Sequence, residues 1–244
     1  AIDDGNLACT VQTANSVSSD DGYDDLPVAD VTVTVVDDDT AGITVVPPAI
    51  SSISEPDGST SFTVRLNSEP TANVTIDLTT SNTQCSASPD PVVLTSANWS
   101  GGVLVTVTAV NDAIDDGNLS CTVQTANSVS SDDLYDGLTV SDVTVTVVDD
   151  DTAGITVEPT ALTVSEPNST ASFTIRLNSE PMHGVYVPLT RSDATECSIS
   201  ATYAFLTSSN WSTGVQVTVT AVDDAIDDDT QTCIVQTGAA TSED

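Results

Sequence analysis

The sequence predicts an all-β protein, built of tandem immunoglobulin-like antiparallel β-sandwiches in a linear array and containing no helix. Three observations support this. The segment AIDDGN at Ala1 returns at Ala113 and, as AIDDDT, at Ala225, so the 244-residue chain repeats with a period of 112 residues. Short runs of apolar residues alternate with polar ones, and no stretch has the spacing of an amphipathic helix. Turn-forming Gly, Pro, Asn and Asp separate the runs about every 8 to 12 residues, as expected for a sandwich.

The strands of one repeat can be followed in order along its middle copy. They read GITVVP from residue 42, TSFTVRL from 60, NVTIDLT from 73, VLVTVTAV from 103, LSCTVQT from 119 and VTVTVV from 143, with a short segment at 86–94. The linkers DDDTAG at 37–42 and 149–154 then predict three parts. Residues 1–39 are the final hairpin of a preceding repeat, 40–151 form a complete sandwich, and 152–244 form a repeat without its last strand.

The charge of the chain is strongly one-sided. Its 37 acidic residues face three arginines and no lysine, for a formal net charge of −34. This balance excludes nucleic acid as a partner, because its phosphates require cationic side chains. Thirty of the acids are Asp, and they gather in loops beside Gly and Asn. Clustered loop carboxylates favour cation binding over a merely solubilising surface.

The five cysteines occupy two positions of the repeat. Cys9, Cys121 and Cys233 are equivalent, as are Cys85 and Cys197. We therefore expect the disulfides Cys85–Cys121 and Cys197–Cys233, each 36 residues apart, with Cys9 unpaired. Regular disulfides predict an oxidising compartment, and so a secreted or cell-surface location. Neither a membrane span nor a signal peptide is expected from the apolar runs.

The acidic loops are predicted to meet at one end of each sandwich. Because antiparallel strands alternate in direction, the turn SEPDGS, the loop beginning TSNTQC, the loop NDAIDDGN and the terminal DDD of the complete sandwich share a pole. Oxygen ligands from several flexible loops suit Ca²⁺ better than Mg²⁺, which demands a strict octahedron, or Zn²⁺, which prefers His and Cys. At the opposite pole, Asp132, Asp133 and Asp136 are weaker candidates for completing a site with Asp37 to Asp39.

Several motifs resemble the Calx-beta family, in the variant found in tandem in large bacterial surface proteins and adhesins. They are VTVVDDDTAG, SEPDG or SEPNST, SANWS or SSNWS, and VTAVNDAIDDGN, in the same order in successive copies. The resemblance implies Ca²⁺ bound at one tip by a turn glutamate, loop acids and the terminal aspartates. The chain departs from the family in its disulfide and in Asn82, where an acid is expected; the last repeat has Asp193 and Glu196 there. The implied ligands are Glu55, Asp112, Asp115, Asp116, Asp149, Asp150 and Asp151 in the complete domain, Glu166, Asp223, Asp224, Asp227 and Asp228 in the last, and Asp3, Asp4, Asp37, Asp38 and Asp39 in the first.

Other motifs carry less information. A single unrepeated histidine, His183, and the lack of lysine leave no nucleophile paired with a base, so no catalysis is expected. Asn-x-Ser/Thr sequons are candidate glycosylation sites where the source glycosylates, although a Ser/Thr-rich chain also produces them by chance. The five sequons are at Asn73, Asn98, Asn118, Asn168 and Asn210.

The favoured function is a structural extender or fibre-forming segment of an extracellular adhesin or surface filament, made rigid by calcium at domain junctions. Its partners would be neighbouring repeats or identical subunits joined head to tail. Two alternatives remain: an adhesive module that binds glycan or ice through a sheet face, and a filament subunit that donates its spare strand at 31–36 to another copy.

Overall fold

A computed structural model describes residues 1–226 and 229–243, and all regular secondary structure in this part of the chain is β-strand. The expected all-β class without helix is thereby confirmed. The chain divides into two compact units: unit 1 comprises residues 1–110 and 120–147, and unit 2 comprises 111–119 and 148–244. The division places the loop at 111–119 with the residues that follow it. The repeat boundaries after residues 39 and 151 stay predictions.

Unit 1 contains a β-sandwich preceded by a two-stranded hairpin. In the sandwich, one sheet has the strand order β3-β5-β10-β8, and the opposing layer has the orders β4-β13-β11-β7 and β12-β6-β9. The strands are β1 (Leu7–Val11), β2 (Val31–Val35), β3 (Ile43–Val46), β4 (Ser52–Ser54), β5 (Ser59–Leu66), β6 (Val74–Ile76), β7 (Leu78–Thr80), β8 (Cys85–Ser88), β9 (Val92–Leu94), β10 (Val103–Ala109), β11 (Leu119–Thr125), β12 (Val129–Ser130) and β13 (Val143–Val148).

Alternation along the strands builds the core of this sandwich. Phe62 and Val64 of β5 point inward, as do Val105 and Val107 of β10, and all four are at most 1% exposed. They belong to one cluster with the inward residues of the opposing layer, such as Val145. Burial of one face of each strand is the packing that a period of two predicts.

A buried tyrosine fastens the loop after β12 to the turn after β5. Tyr135 is 1% exposed, and its hydroxyl donates to the carbonyl oxygen of Ser68 at 2.7 Å and accepts from the backbone N–H of Ser68 at 3.0 Å. The repeat-equivalent Tyr23 is 66% exposed. The identical residue therefore has different surroundings in the two copies.

The hairpin β1–β2 pairs in antiparallel register, with Leu7 opposite Val35. Its residues are exposed throughout, and Val33 is 48% exposed. The strand sequence VTVTV is also that of β13, in which the matching Val145 is 1% exposed. A strand buries its apolar face when a second layer packs against it. Such a layer covers β13, whereas β1 and β2 form a two-stranded sheet that has none.

Unit 2 contains two antiparallel sheets, with the orders β14-β15-β19-β17 and β18-β16-β20. Their inward residues, including Phe173, Ile175, Val187 and Val217, form a single buried cluster. The strands are β14 (Ile155–Glu158), β15 (Thr170–Leu177), β16 (Val185–Arg191), β17 (Cys197–Ile199), β18 (Tyr203–Leu206), β19 (Val215–Ala221) and β20 (Val235–Thr237).

Both expected disulfides are present. Cys85 of β8 bonds to Cys121 of β11, which joins the two layers of the unit 1 sandwich, and Cys197 bonds to Cys233 in unit 2. Cys9 is a free, exposed thiol. The described residues include no helix long and apolar enough to cross a membrane.

Candidate metal centres

In unit 1, Asp37 clamps the loop that opens the chain. Its Oδ2 accepts hydrogen bonds from the backbone N–H groups of Asp4, at 2.9 Å, and Gly5, at 2.7 Å. Its Oδ1 accepts from the N–H of Asp39 at 3.0 Å. The N–H of Asp37 in turn donates to Oδ1 of Asn6 at 2.9 Å. The clamp holds the acids of the AIDDGN loop beside those of the DDD run.

Two further bonds in unit 1 tie the same loop to the sandwich. Asp3 Oδ2 accepts from the N–H of Ala41 at 2.8 Å, and the carbonyl oxygen of Ala1 accepts from the N–H of Glu69 at 2.7 Å. The loop is therefore fixed at one point before β3 and at another after β5.

Unit 2 repeats this construction with the next copy of the loop. Asp149 accepts through Oδ2 from the N–H of Gly117, at 2.7 Å, and through Oδ1 from the N–H of Asp151, at 2.8 Å. The N–H of Asp149 donates to Oδ1 of Asn118 at 3.2 Å. Asp115 Oδ2 accepts from the N–H of Ala153 at 2.7 Å. Two sites of the same design therefore lie one repeat apart.

The loop in unit 2 is also tied to the residues that follow it. The carbonyl oxygen of Ala113 accepts from the N–H of Glu180, and Ile114 lines a pocket together with Ile155, Leu177 and Val185. These contacts explain why residues 111–119 group with unit 2. The loop is a fixed structural element with its carboxylates placed by backbone geometry.

The glycine and asparagine of AIDDGN are site residues that the sequence prediction missed. Gly5 and Gly117 have φ angles of +68° and +72°, a conformation that costs glycine little and turns its N–H toward the clamping aspartate. The repeated DGN triplet was the available signal. In the third copy, Asp229 takes the glycine position with φ +63°.

The aspartate runs bring carboxylates close together in both units. One carboxylate oxygen from each of Asp37, Asp38 and Asp39 lies within 4.8 Å of the others, and the same holds for the run at 149–151. Oδ2 of Asp151 is buried and has no hydrogen-bond partner. A buried oxygen without a donor, among other carboxylates, is an arrangement that a hard cation would satisfy.

The electrostatics of the second site differ from those of the first. Burial, followed by repulsion from Asp112, Asp149 and Asp115, raises the pKa of Asp116. Burial and neighbouring carboxylates, first among them Asp150, also raise the pKa of Asp151. At neutral pH this cluster therefore carries charge at a cost in stability, which a cation would offset.

In the first site, the backbone N–H of Asp39 and those of Gly5 and Asp4 hold the pKa of Asp37 below its ordinary value, against the effect of burial. Asp37 therefore stays ionised at neutral pH. An ionised carboxylate is the form in which an aspartate binds a hard cation.

The remaining predicted ligands are placed as follows. Glu55 lies in unit 1 after β4 and is 7% exposed, whereas Glu166 in unit 2 is exposed. Asp224 Oδ1 accepts from the N–H of Ile226 at 2.8 Å, the same turn that Asp112 Oδ1 makes with the N–H of Ile114. Asp223 lies beside Asp224 before this turn. Asp227 and Asp228 lie outside the described residues.

Asp132, at the opposite pole, has structural partners. Asp132 is buried and accepts from the N–H groups of Thr71 at 2.8 Å and Leu134 at 3.1 Å. Burial alone would raise the pKa of Asp132, but these bonds outweigh it and lower that pKa. The cluster formed by Asp37 to Asp39, as far as the described residues show, includes none of the acids at 132, 133 and 136.

In the loop after β16, the side chain and N–H of Thr195 hold the carboxylate of Asp193 and lower its pKa. The equivalent Asn82 donates to the carbonyl oxygen of Ser120 at 2.9 Å. Asp193 thus organises its own loop, whereas Asn82 ties its loop to β11.

The sequons divide into two groups. In the NWS motifs, Asn98 and Asn210 are half-buried, and their side-chain amides donate to the carbonyl oxygens of Val93 and Phe205, each at 3.1 Å. A glycan on either amide would leave it a single N–H to donate. The side chains of the other three, Asn73, Asn118 and Asn168, belong to exposed residues.

Comparisons with known proteins give weak likenesses. A scan against family models finds no match, and neither does a search of curated proteins. Among solved structures, the D0-D1 domain of intimin is 16% identical over 73% of this chain and 85% of its own, with a TM-score of 0.27. The calcium-binding domain CBD12 of CALX1.1 is 15% identical over 78% and 77%, with a TM-score of 0.34. The Yersinia pseudotuberculosis adhesin InvE is 16% identical over 75% and 53%, with a TM-score of 0.31.

TM-scores of this size carry no argument about function, and the adhesin domains score about as well as the calcium-binding one. They do not single out the Calx-beta family. The strands and loops themselves define the class: tandem antiparallel β-sandwiches, each with an internal disulfide, and repeated acidic loop clusters.

Substituting Asp116 should have opposite effects with and without a cation. Because folding raises the pKa of Asp116, the protonated side chain stabilises the fold below the unfolded pKa of about 3.9. This stabilisation is lost as pH rises through the pKa of the folded state. At pH 7 in chelator, we therefore expect Asp116→Asn to raise the melting temperature. We expect any Ca²⁺ binding by the parent chain to be about tenfold weaker in the variant, because ligand charge sets affinity. The exposed Asp133→Asn is the control, and a lower melting temperature in chelator would contradict the expectation.

Proposed function

We propose that this chain is a structural segment of an extracellular or surface adhesin or filament, in which Ca²⁺ binds at each acidic cluster. The observation that carries the proposal is the repeated clamp: Asp37 and Asp149 each hold a copy of the same loop through matching backbone bonds. A surface evolved only for solubility has no need to repeat such geometry. The proposed role is not enzymatic.

Calcium is the ion that best fits the donors. The clusters offer carboxylate and backbone oxygens, which Ca²⁺ accepts in sets of about six to eight with flexible geometry. The first site would use Asp3, Asp4 and the run at 37–39. The second would use Asp112, Asp115, Asp116 and the run at 149–151. A third would use Glu166 with the acids at 223, 224, 227 and 228.

The extender role follows from repetition and charge. A net charge of −34 opposes compaction, and cations at regular intervals would neutralise it locally. We propose that the ion-bound loops stiffen the joints between repeats. The partners of this chain would be further repeats, or copies of the chain joined head to tail, and one form of that joining is donation of the strand at 31–36. The two disulfides suit an oxidising, extracellular location.

Calcium titration and scattering test this proposal together. We expect calorimetry on the chelator-treated chain to show saturable Ca²⁺ binding that Mg²⁺ at equal ionic strength does not reproduce. Small-angle scattering should show a narrower range of chain dimensions with Ca²⁺, and melting should shift upward. The proposal fails if the scattering and melting curves are the same in calcium and in chelator.

A further inference from the structure

Unit 2 carries an exposed aromatic patch that its metal-site loops do not use. Tyr186, Tyr203 and Phe205 are 39%, 48% and 49% exposed and lie on neighbouring strands β16 and β18. The chain has nine aromatic residues, and three of them are on this face. Large apolar side chains that share one exposed face indicate a contact surface, whereas scattered single ones do not.

The patch lies on the outer face of its sheet. Val187 and Leu189 alternate with the exposed residues of β16, and Ala204 and Leu206 alternate with those of β18; all four are at most 3% exposed. The rings of Tyr186 and Tyr203 stack with their centroids 4.9 Å apart at an interplanar angle of 25°. The patch is therefore ordered by ring stacking while the core lies on the other side of the strands.

The other sandwich does without these rings. Thr75, Pro91 and Val93 of unit 1 occupy the positions of Tyr186, Tyr203 and Phe205. The fold of the repeat thus does not require aromatics on this face.

The ring of Phe205 also has space reserved for it. A side chain at Gly184 would place its Cβ 2.5 Å from Cζ of Phe205, whereas unit 1 has Asn73 at the glycine position. Glycine and phenylalanine therefore belong together here, as a feature specific to this sandwich.

The chemistry of the patch limits its ligand. None of its three rings belongs to an acidic or basic residue, and neither do their strand partners. These partners are Pro188, opposite Tyr203, and Thr241, opposite Tyr186. A chain of net charge −34 repels polyanions, and it repels other copies of itself wherever no cation neutralises the contact. A cationic peptide would be expected to meet carboxylates beside the rings, and these five side chains offer none. What remains is a neutral molecule with both an apolar face and hydroxyl groups.

We propose that this aromatic patch binds a neutral sugar. The C–H face of a pyranose ring would contact the aromatic rings, while the phenol hydroxyls and the hydroxyl of Thr241 would hydrogen-bond to sugar hydroxyls. A patch of three rings suits a mono- or disaccharide unit, since a stable protein interface needs roughly 1,200 Å² or more. This binding is independent of the calcium sites.

An array of neutral oligosaccharides tests the proposal on the full chain, in calcium and in chelator. Binding to at least one neutral glycan is expected, with calorimetric affinity at least about tenfold weaker in Tyr186→Thr and Tyr203→Ala. Phe205→Val, which installs the unit 1 residue, should weaken it as well. Tyr23→Ala removes a tyrosine of unit 1 that is more exposed than those of the patch, and it should leave affinity unchanged.

The variants are folded if their circular dichroism and melting match those of the parent chain. Three results would each overturn the proposal: no neutral glycan is bound, binding survives all three patch substitutions, or the substitutions abolish binding of a Lys/Arg-rich peptide instead. Loss of calcium binding would leave the sugar result unchanged, so the two proposals fail separately.

Discussion

Replacing Asp149 with alanine should remove the calcium response of the second site, formed by the acids at 112–116 and 149–151. Asp149 accepts two backbone hydrogen bonds, from Gly117 at 2.7 Å and from Asp151 at 2.8 Å, and it belongs to the carboxylate cluster. The substitution therefore releases the loop and removes a proposed ligand at once. Ion binding stabilises a fold by about 2.7 kcal/mol at a hundred times the dissociation constant, and this contribution should vanish. Loss of two charge-assisted bonds should cost about 1 to 3 kcal/mol more.

The measurement is urea unfolding of parent and variant in saturating Ca²⁺ and in chelator, together with calorimetric stoichiometry. Asp37→Ala is the matched variant, because Asp37 makes the equivalent bonds in unit 1, and this substitution should remove the first site. The exposed Asp133→Ala controls for loss of one charge. An Asp149→Ala chain that keeps the full stoichiometry and calcium-dependent stability would show that Asp149 is not a ligand.

Much of the fold could be predicted because its signals are local. Alternation of apolar residues identified β5, β10, β11 and β13, and the repeat period identified the cysteine pairs before any geometry was known. The short β4 could not be predicted in this way. It pairs with β13 in one layer, whereas the preceding β3 pairs with β5 in the other. The chain therefore crosses between layers just before β4, and a strand of three residues carries no pattern that would indicate this crossing.

The candidate site was predictable in composition but not in construction. The acid-rich motifs named the carboxylates, yet the clamp depends on backbone N–H groups, such as that of Gly117, which every residue except proline has. The buried role of Asp132 was also hidden, because its sequence surroundings resemble those of an exposed acidic loop. Only the folded chain shows that it accepts from Thr71, which is 61 residues away.

Removing the disulfide Cys85–Cys121 should produce a loss of stability comparable to that of the metal-site variant. The bridge closes a loop across 36 residues and joins β8 to β11, which lie in opposite layers of the unit 1 sandwich. Chain-entropy arguments assign such a bond about 3 to 4 kcal/mol, a large share of the roughly 5 to 15 kcal/mol that stabilises a domain. Both sulfurs are buried, with Cys85 3% and Cys121 0% exposed, so the double alanine variant also loses core contacts.

Urea unfolding of Cys85→Ala/Cys121→Ala, in chelator so that ion binding does not contribute, should show an earlier transition for unit 1. Cys9→Ala is the control, because Cys9 is exposed and unpaired, and its removal should leave the unfolding curve unchanged. The corresponding Cys197→Ala/Cys233→Ala pair should destabilise unit 2 in the same way, since its loop has equal length. A parent and double variant that unfold at the same urea concentration would mean that the packed layers hold the sandwich together without the bridge.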